Sequence, residues 1–169
     1  MIRTERLILR PWREADREPF AAMNADPEVM HDFPAPLTRA ESDAKLDRYQ
    51  DAIERLGHGR WLMERRAGGD FLGYVGIMPI FDEHPCAPGV EIGWRMIRAA
   101  WGLGYASEGA AAALRDGFER MQFTEVIAYT APDNRRSRAV MHRLRMTRDV
   151  ARDYVDPVHG AFVVYAAKP

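Results

Sequence analysis

Between Val90 and Gly109 the chain runs V-E-I-G-W-R-M-I-R-A-A-W-G-L-G-Y-A-S-E-G, and this stretch limits the fold more than any other. Val90, Ile92, Trp94, Met96 and Ile97 give its first part the character of a buried strand. Small residues take over at Ala99 and Ala100, Trp101-Gly102-Leu103-Gly104 turns the chain, and a helical pattern starts at Tyr105. The first N–H groups of a helix have no partner inside it and carry the positive end of its dipole. Glycines let backbone approach a ligand closely. A strand, a glycine loop and a helix start therefore suit a phosphate or pyrophosphate. A glycine pair that only turns the chain is the competing reading.

The rest of the sequence frames a single globular domain over residues 1–169. Its 47% hydrophobic and 29% charged residues are ordinary for a water-soluble protein. A net charge of −1 argues against a general nucleic-acid binder or a membrane-surface protein. No apolar run approaches the ~20 residues of a membrane span. The opening Met1-Ile2-Arg3-Thr4-Glu5-Arg6 lacks the apolar core of a signal peptide, and one cysteine permits no intrachain disulfide, so a cytoplasmic setting is expected.

Alternation predicts a strand over Thr4–Arg10, ended by Pro11. Helices are expected over Glu14–Met23, despite Pro19, and from the capping box Thr38-Arg39-Ala40-Glu41 to about Leu56, where Gly57-His58-Gly59 stops the chain. Arg60–Arg65 and Phe71–Phe81 form a hairpin about Ala67-Gly68-Gly69-Asp70. After the proline-rich Asp82–Gly89 comes the central strand, then a helix over Gly104–Met121 whose many small residues suit close packing on a sheet. Glu125–Thr130 is a strand, Arg135–Arg145 a helix capped by Ala131-Pro132-Asp133-Asn134, and Asp149–Val155 and Gly160–Ala166 are closing strands. The expected architecture is α+β: a mixed, mostly antiparallel sheet of about six to seven strands flanked by helices, with one central βαβ unit.

Five pieces of the chain resemble, in order, the GNAT superfamily of N-acetyltransferases, and most nearly the branch that acetylates N-terminal alanines of ribosomal proteins. They are Thr4-Glu5-Arg6-Leu7-Ile8-Leu9-Arg10-Pro11, Gly73-Tyr74-Val75-Gly76, Glu91-Ile92-Gly93-Trp94, Trp101-Gly102-Leu103-Gly104-Tyr105-Ala106-Ser107-Glu108-Gly109, and Asn134-Arg135-Arg136-Ser137. The chain departs from the pattern at Gly109, where alanine is usual, and at Ala99, where the superfamily often has Gln or Arg. It departs again at Arg145, which stands where a glycine suited to a positive-φ helix end is usual.

The resemblance implies acetyl-CoA as acyl donor, with the amides of Gly102, Leu103, Gly104, Tyr105 and Ala106 on the pyrophosphate. The backbone of Met96, Ile97 and Arg98 would meet the pantetheine arm like an added strand, and Asn134 would bind the pantetheine or reacting end. It also implies direct attack of a primary amine on the thioester, at a peptide N-terminus or on a small molecule, with a homodimer as the family's habit and no metal. A lysine-type amine titrates near 10.4 and an α-amine near 7.7–8.0, so an α-amine needs only a weak base, such as a carboxylate acting through water. Glu91 is the candidate base and Ser137 the candidate donor to the departing thiolate. A salt-bridged strand carboxylate and a first-turn serine bonded to local backbone are their plain alternatives. An N–H near Met96 is the candidate oxyanion donor.

Other constellations carry less. The five histidines show no metal-ligand spacing, and His84-Pro85-Cys86 reads as a loop rather than a nucleophile. Arg135, Arg138, His142 and Arg145 form a helical stripe that is a solvated face or a contact for CoA phosphates. A dinucleotide-binding oxidoreductase fits poorly, because only one clear βα unit exists. A non-catalytic CoA-binding module of the same fold is the other alternative. Acceptor choice is expected from Met23–Leu37, Phe81–Gly89 and Val155–Gly160.

Overall fold

The computed structural model describes all 169 residues. Its strands are β1 (Ile2–Arg3), β2 (Leu7–Arg10), β3 (Arg60–Arg65), β4 (Phe71–Pro79), β5 (Val90–Met96), β6 (Val126–Thr130), β7 (Thr147–Arg148), β8 (Tyr154–Asp156) and β9 (Gly160–Ala167). Its helices are α1 (Arg17–Ala25), α2 (Arg39–Leu56), α3 (Tyr105–Glu119) and α4 (Arg135–Arg143). The sheet order is β1-β2-β3-β4-β5-β6-β9-β7, with β8 on β9. Every pairing is antiparallel except that of β5 with β6, which is parallel and carries the crossover helix α3. The mixed α+β sheet is as expected, with nine strands where six or seven were predicted.

Local chemistry sets the helix ends. Thr38 caps α2 by accepting from Glu41 N at 3.3 Å, while Glu41 Oε2 accepts from Thr38 N at 2.8 Å. Gly57, at φ 72°, closes the helix. Pro19 lies in the first turn of α1, where its missing N–H costs no intrahelical bond.

The two faces of the sheet are covered differently. Helix α3 lies so close to one face that a Cβ on Gly109 would sit 3.0 Å from both Met63 Sδ and Val75 Cγ1. That closeness accounts for glycine at a position where the resemblance leads one to expect alanine. Helices α1 and α2 cover the other face through an aromatic cluster: the Tyr74 ring lies 6.1 Å from Phe20 and 5.3 Å from Tyr49. Leu7, Leu9, Met63, Val75, Ala110 and Val126 are buried in the core.

The C-terminal third departs from the predicted pair of strands. The single strand expected over Asp149–Val155 is split: β7 ends before it, at Arg148, a 3₁₀ turn covers Val150–Arg152, and only Tyr154 and Val155 are extended, in β8. Side-chain chemistry causes the split: Asp153 Oδ1 accepts from Val164 N at 3.0 Å, and its carboxylate pairs with Arg148, so Asp153 serves as an internal bracket rather than a ladder residue.

At the end of α4, Arg145 adopts φ 57°. The chain keeps the positive-φ helix end without the glycine that usually supplies it. A left-handed conformation costs a non-glycine residue about 1–2 kcal/mol, partly offset by the extra freedom glycine has when unfolded. Arg145→Gly is therefore expected to stabilise the fold by about 0.5–1 kcal/mol, measured by denaturant melts; a loss of stability would mean that the exposed arginine makes a contact worth more than its strain.

Candidate functional site

The parallel strands β5 and β6 pair at one position, Glu91↔Ile127. Beyond Glu91 the two part, while β5 stays fully paired with β4 from Val90 to Met96. The β5 edge facing β6 is therefore open beyond Ile92, inside the sheet rather than at its rim. The sequence places the glycine loop and the start of α3 at the end of that opening.

Gly102 and Gly104 take φ 74° and 82°, and Gly104 is the N-cap of α3. These left-handed conformations need glycine, and Gly102, Leu103 and Gly104 are exposed. Tyr105 and Ala106 follow as the first residues of a 15-residue helix whose leading amides have no intrahelical partner. Ser107 Oγ lies buried in the same turn with no hydrogen-bond partner. Arg6 donates to Leu103 O at 2.9 Å, and the Arg136 guanidinium lies 4.2 Å from the Trp101 ring. Free amides, positive-φ glycines and flanking arginines fit a diphosphate.

Glu108 fastens this loop to the sheet. It accepts from the Thr4 hydroxyl, from Arg6 N at 2.9 Å and from Arg6 Nε at 2.7 Å. The first and fourth motifs of the sequence are thus bonded to each other. Burial works to raise the Glu108 carboxyl, but the Thr4 and Arg6 donors outweigh it and hold it below the ordinary value of 4.5.

The expected cofactor residues stand along this path, though some of their backbone atoms are used within the chain. Met96 O accepts from the Trp101 indole at 2.9 Å, and Ile97 N donates to Leu72 O at 3.1 Å. Ile97 O accepts from Ala100 N at 3.0 Å, and the Arg98 side chain pairs with Glu28. Asn134 is the N-cap of α4: its Oδ1 accepts from Ser137 N at 3.0 Å, and its Nδ2 donates to Asp32 Oδ2 at 2.9 Å. Ser137 is half-buried in the first turn of α4.

Glu91 lies on the β5 face that meets α1 and α2, with its Oε1 against the Arg60 guanidinium. Arg60, 7% exposed, crosses beneath Gly76 and Gly93, which stand opposite each other on β4 and β5. A Cβ on Gly93 would lie 2.7 Å from Arg60 Nη2. Burial works against the arginine's charge, and Glu91 more than restores it. Alternation alone did not reveal Arg60, since one arginine at the start of a strand looks like a solvated end. Glycine at both facing positions is the signal that could have found it.

The three loops expected to select the acceptor meet on this face. The Phe33 ring lies 6.3 Å from His159, and His84 shares a 2.9 Å hydrogen bond with the Tyr154 hydroxyl. Cys86, buried with its thiol pushed up by that burial, is not set up as a nucleophile.

With this geometry in view, the relatives can be placed. Residues 6–147 match the acetyltransferase (GNAT) domain model. The chain is 31% identical to the Bacillus subtilis uncharacterized protein YkkB over 144 residues, 85% of this chain and 83% of that one. It is 34% identical to the Aspergillus fumigatus FsC-acetyl coenzyme A-N(2)-transacetylase over 147 residues, 83% of this chain and 62% of that longer protein. A solved acetyltransferase from Agrobacterium tumefaciens superposes with a TM-score of 0.86 at 28% identity, covering 99% of this chain and 94% of the other. The chain belongs to the GNAT acetyltransferase family: it is an acetyltransferase of the class that takes its acetyl group from acetyl-CoA.

Two outcomes follow. Glu108→Gln should cost about 2 kcal/mol, the range for hydrogen bonds to a charged group. Because folding lowers the Glu108 value, its contribution is present above pH 4.5 and fades as the pH falls through the folded value. Thermal melts of the parent should therefore lose more stability than those of the variant on acidification; parallel losses would refute the clamp. Arg60→Met should cost about 3–5 kcal/mol by stranding Glu91, and adding Glu91→Gln should recover part of it; simple additivity in a double-mutant cycle would refute the coupling.

Proposed function

We propose that the protein is an acetyl-CoA-dependent N-acetyltransferase acting on a primary amine, of a peptide N-terminus or a small molecule, by direct attack. The observation that carries this reading is the parting of β5 from β6 after Glu91, with positive-φ glycines and a helix N-terminus at the end of the gap. The A. fumigatus relative is named as an N(2)-transacetylase, which supports an amine acceptor.

In this reading the amides of Gly102–Ala106 hold the pyrophosphate, and the open edge of β5 down to Met96, Ile97 and Arg98 holds the pantetheine arm. Asn134 meets the pantetheine after exchanging its bond to Asp32. Bound acetyl-CoA supplies an activated thioester; the chain's own groups supply position and proton traffic. Glu91 Oε1 is taken by Arg60, which leaves Oε2 to receive the amine's proton through a water. The Ser137 hydroxyl, which bonds no group of the protein, stands one helical turn from Asn134 and donates to the departing thiolate.

Calorimetric titration tests the donor site. Acetyl-CoA and CoA should bind and NAD should not; binding of NAD instead would return the site to dinucleotide chemistry. Thiol release with a panel of amines tests catalysis. Loss of a general base costs about 10²–10⁴ in rate, so Glu91→Gln should lower kcat by about 10²-fold, and Ser137→Ala by about tenfold, with acetyl-CoA affinity little changed. Donor binding without turnover of any amine would favour the non-catalytic module.

A further inference from the structure

The sheet face beneath α1 and α2 holds two cations that pair with no carboxylate of the chain. Arg95, on β5 beside the open edge, is half-buried. A guanidinium has five N–H donors, and that of Arg95 reaches one weak acceptor, Met30 Sδ, at 2.6 Å. Lys45, on α2, is half-buried too, and its ammonium donates to no protein atom; burial lowers its value, Tyr74 opposes that in part, and Arg95 adds to it. The two converge on one ring. Arg95 Cζ lies 4.1 Å and Lys45 Nζ 5.6 Å from the Phe33 centroid. Every other lysine and arginine is either exposed or bonded to an oxygen. Buried charges are ordinarily paired, and a cation–π contact replaces only part of what water gave.

The local field has a sign. Burial works to raise the Tyr74 phenol, yet Lys45, Arg95 and Arg60 outweigh it and lower it. The surroundings of these two cations thus favour a negative oxygen. Glu91, the candidate base, stands four residues earlier on the same face of β5, with its Oε1 against Arg60. An acceptor lying between Glu91 and the cation pair meets a carboxylate at its amine and cations at its other pole.

We propose that Arg95 and Lys45 form a carboxylate subsite, so that the acceptor is a primary amine that also bears a carboxylate. The inference rests on the amine-acetylating reading above and narrows its substrate. The carboxylate belongs either to a free α-amino acid or to an acidic residue at a peptide N-terminus.

The test compares acids with their neutral twins in two arms. One uses the common L-amino acids and their α-carboxamides; the other uses aspartate-initiated and asparagine-initiated tripeptide amides. Each pair is titrated into CoA-saturated protein and assayed for thiol release with acetyl-CoA. Charge-assisted bonds predict that the acid of at least one arm binds more tightly, and is turned over with a higher kcat/KM, by about 10- to 100-fold. Arg95→Gln and Lys45→Met should each collapse that ratio, chiefly through KM, and Arg95→Lys should restore part of it. The carboxamide amine is the less basic, so intrinsic reactivity works against the expected result.

Equal handling of acid and amide in both arms would overturn the subsite while leaving the acetyltransferase reading standing. A preference for acids that survives in both variants would overturn its assignment to these residues. If no amine were turned over, the reading of the reaction would fail, and the titrations would decide separately: tighter binding of the acid, lost in the variants, supports the subsite, and equal or absent binding overturns it.

Discussion

The parting of two parallel strands is the constraint on which the rest of this molecule depends. Inside a sheet, unpaired backbone is costly, and here one edge of β5 is left open past Glu91 in the middle of nine strands. Support comes from both sides. On one face α3 packs through Gly109 against Met63 and Val75; on the other Arg60 spans β3, β4 and β5 and ends on Glu91. The opening is therefore a rigid slot, and a donor that lies along it as an added strand restores the missing backbone bonds.

The slot also gives the two faces separate work. The glycine loop and α3 form its floor at one end, tied to the first strands by Glu108, Thr4 and Arg6. In the proposed reaction the acceptor approaches from the α1 and α2 face, where loops from three distant parts of the chain meet around Phe33, His159, His84 and Tyr154. In that proposal the acetyl donor and the amine reach the β5 edge from different directions, as direct transfer between them requires.

How much of this was legible in the sequence depended on the range of the interactions. Helix α2 was readable at both ends because its stop signals are local: the capping box at Thr38 and the left-handed Gly57. The glycine loop was readable for the same reason. The break in the C-terminal strands was not, because Asp153 acts through Val164 and Arg148, contacts that alternation does not encode. The site was legible in its motifs and opaque in its partners. Glu108 and Thr4 each stood in a recognisable motif, yet their bond spans 104 positions. Arg60 resembled a solvated strand end until the fold buried it, and nothing local to Lys45 or Arg95 announces that they meet at Phe33.

Amide hydrogen exchange with and without CoA tests the central claim most directly. If the open edge of β5 and the loop hold the donor, protection should rise on binding in two segments, Ile92–Arg98 and Gly102–Ala106, and change little across the β3–β4 hairpin. Binding that left both segments unchanged, or protected the loop alone, would contradict the account of the slot as the donor's seat.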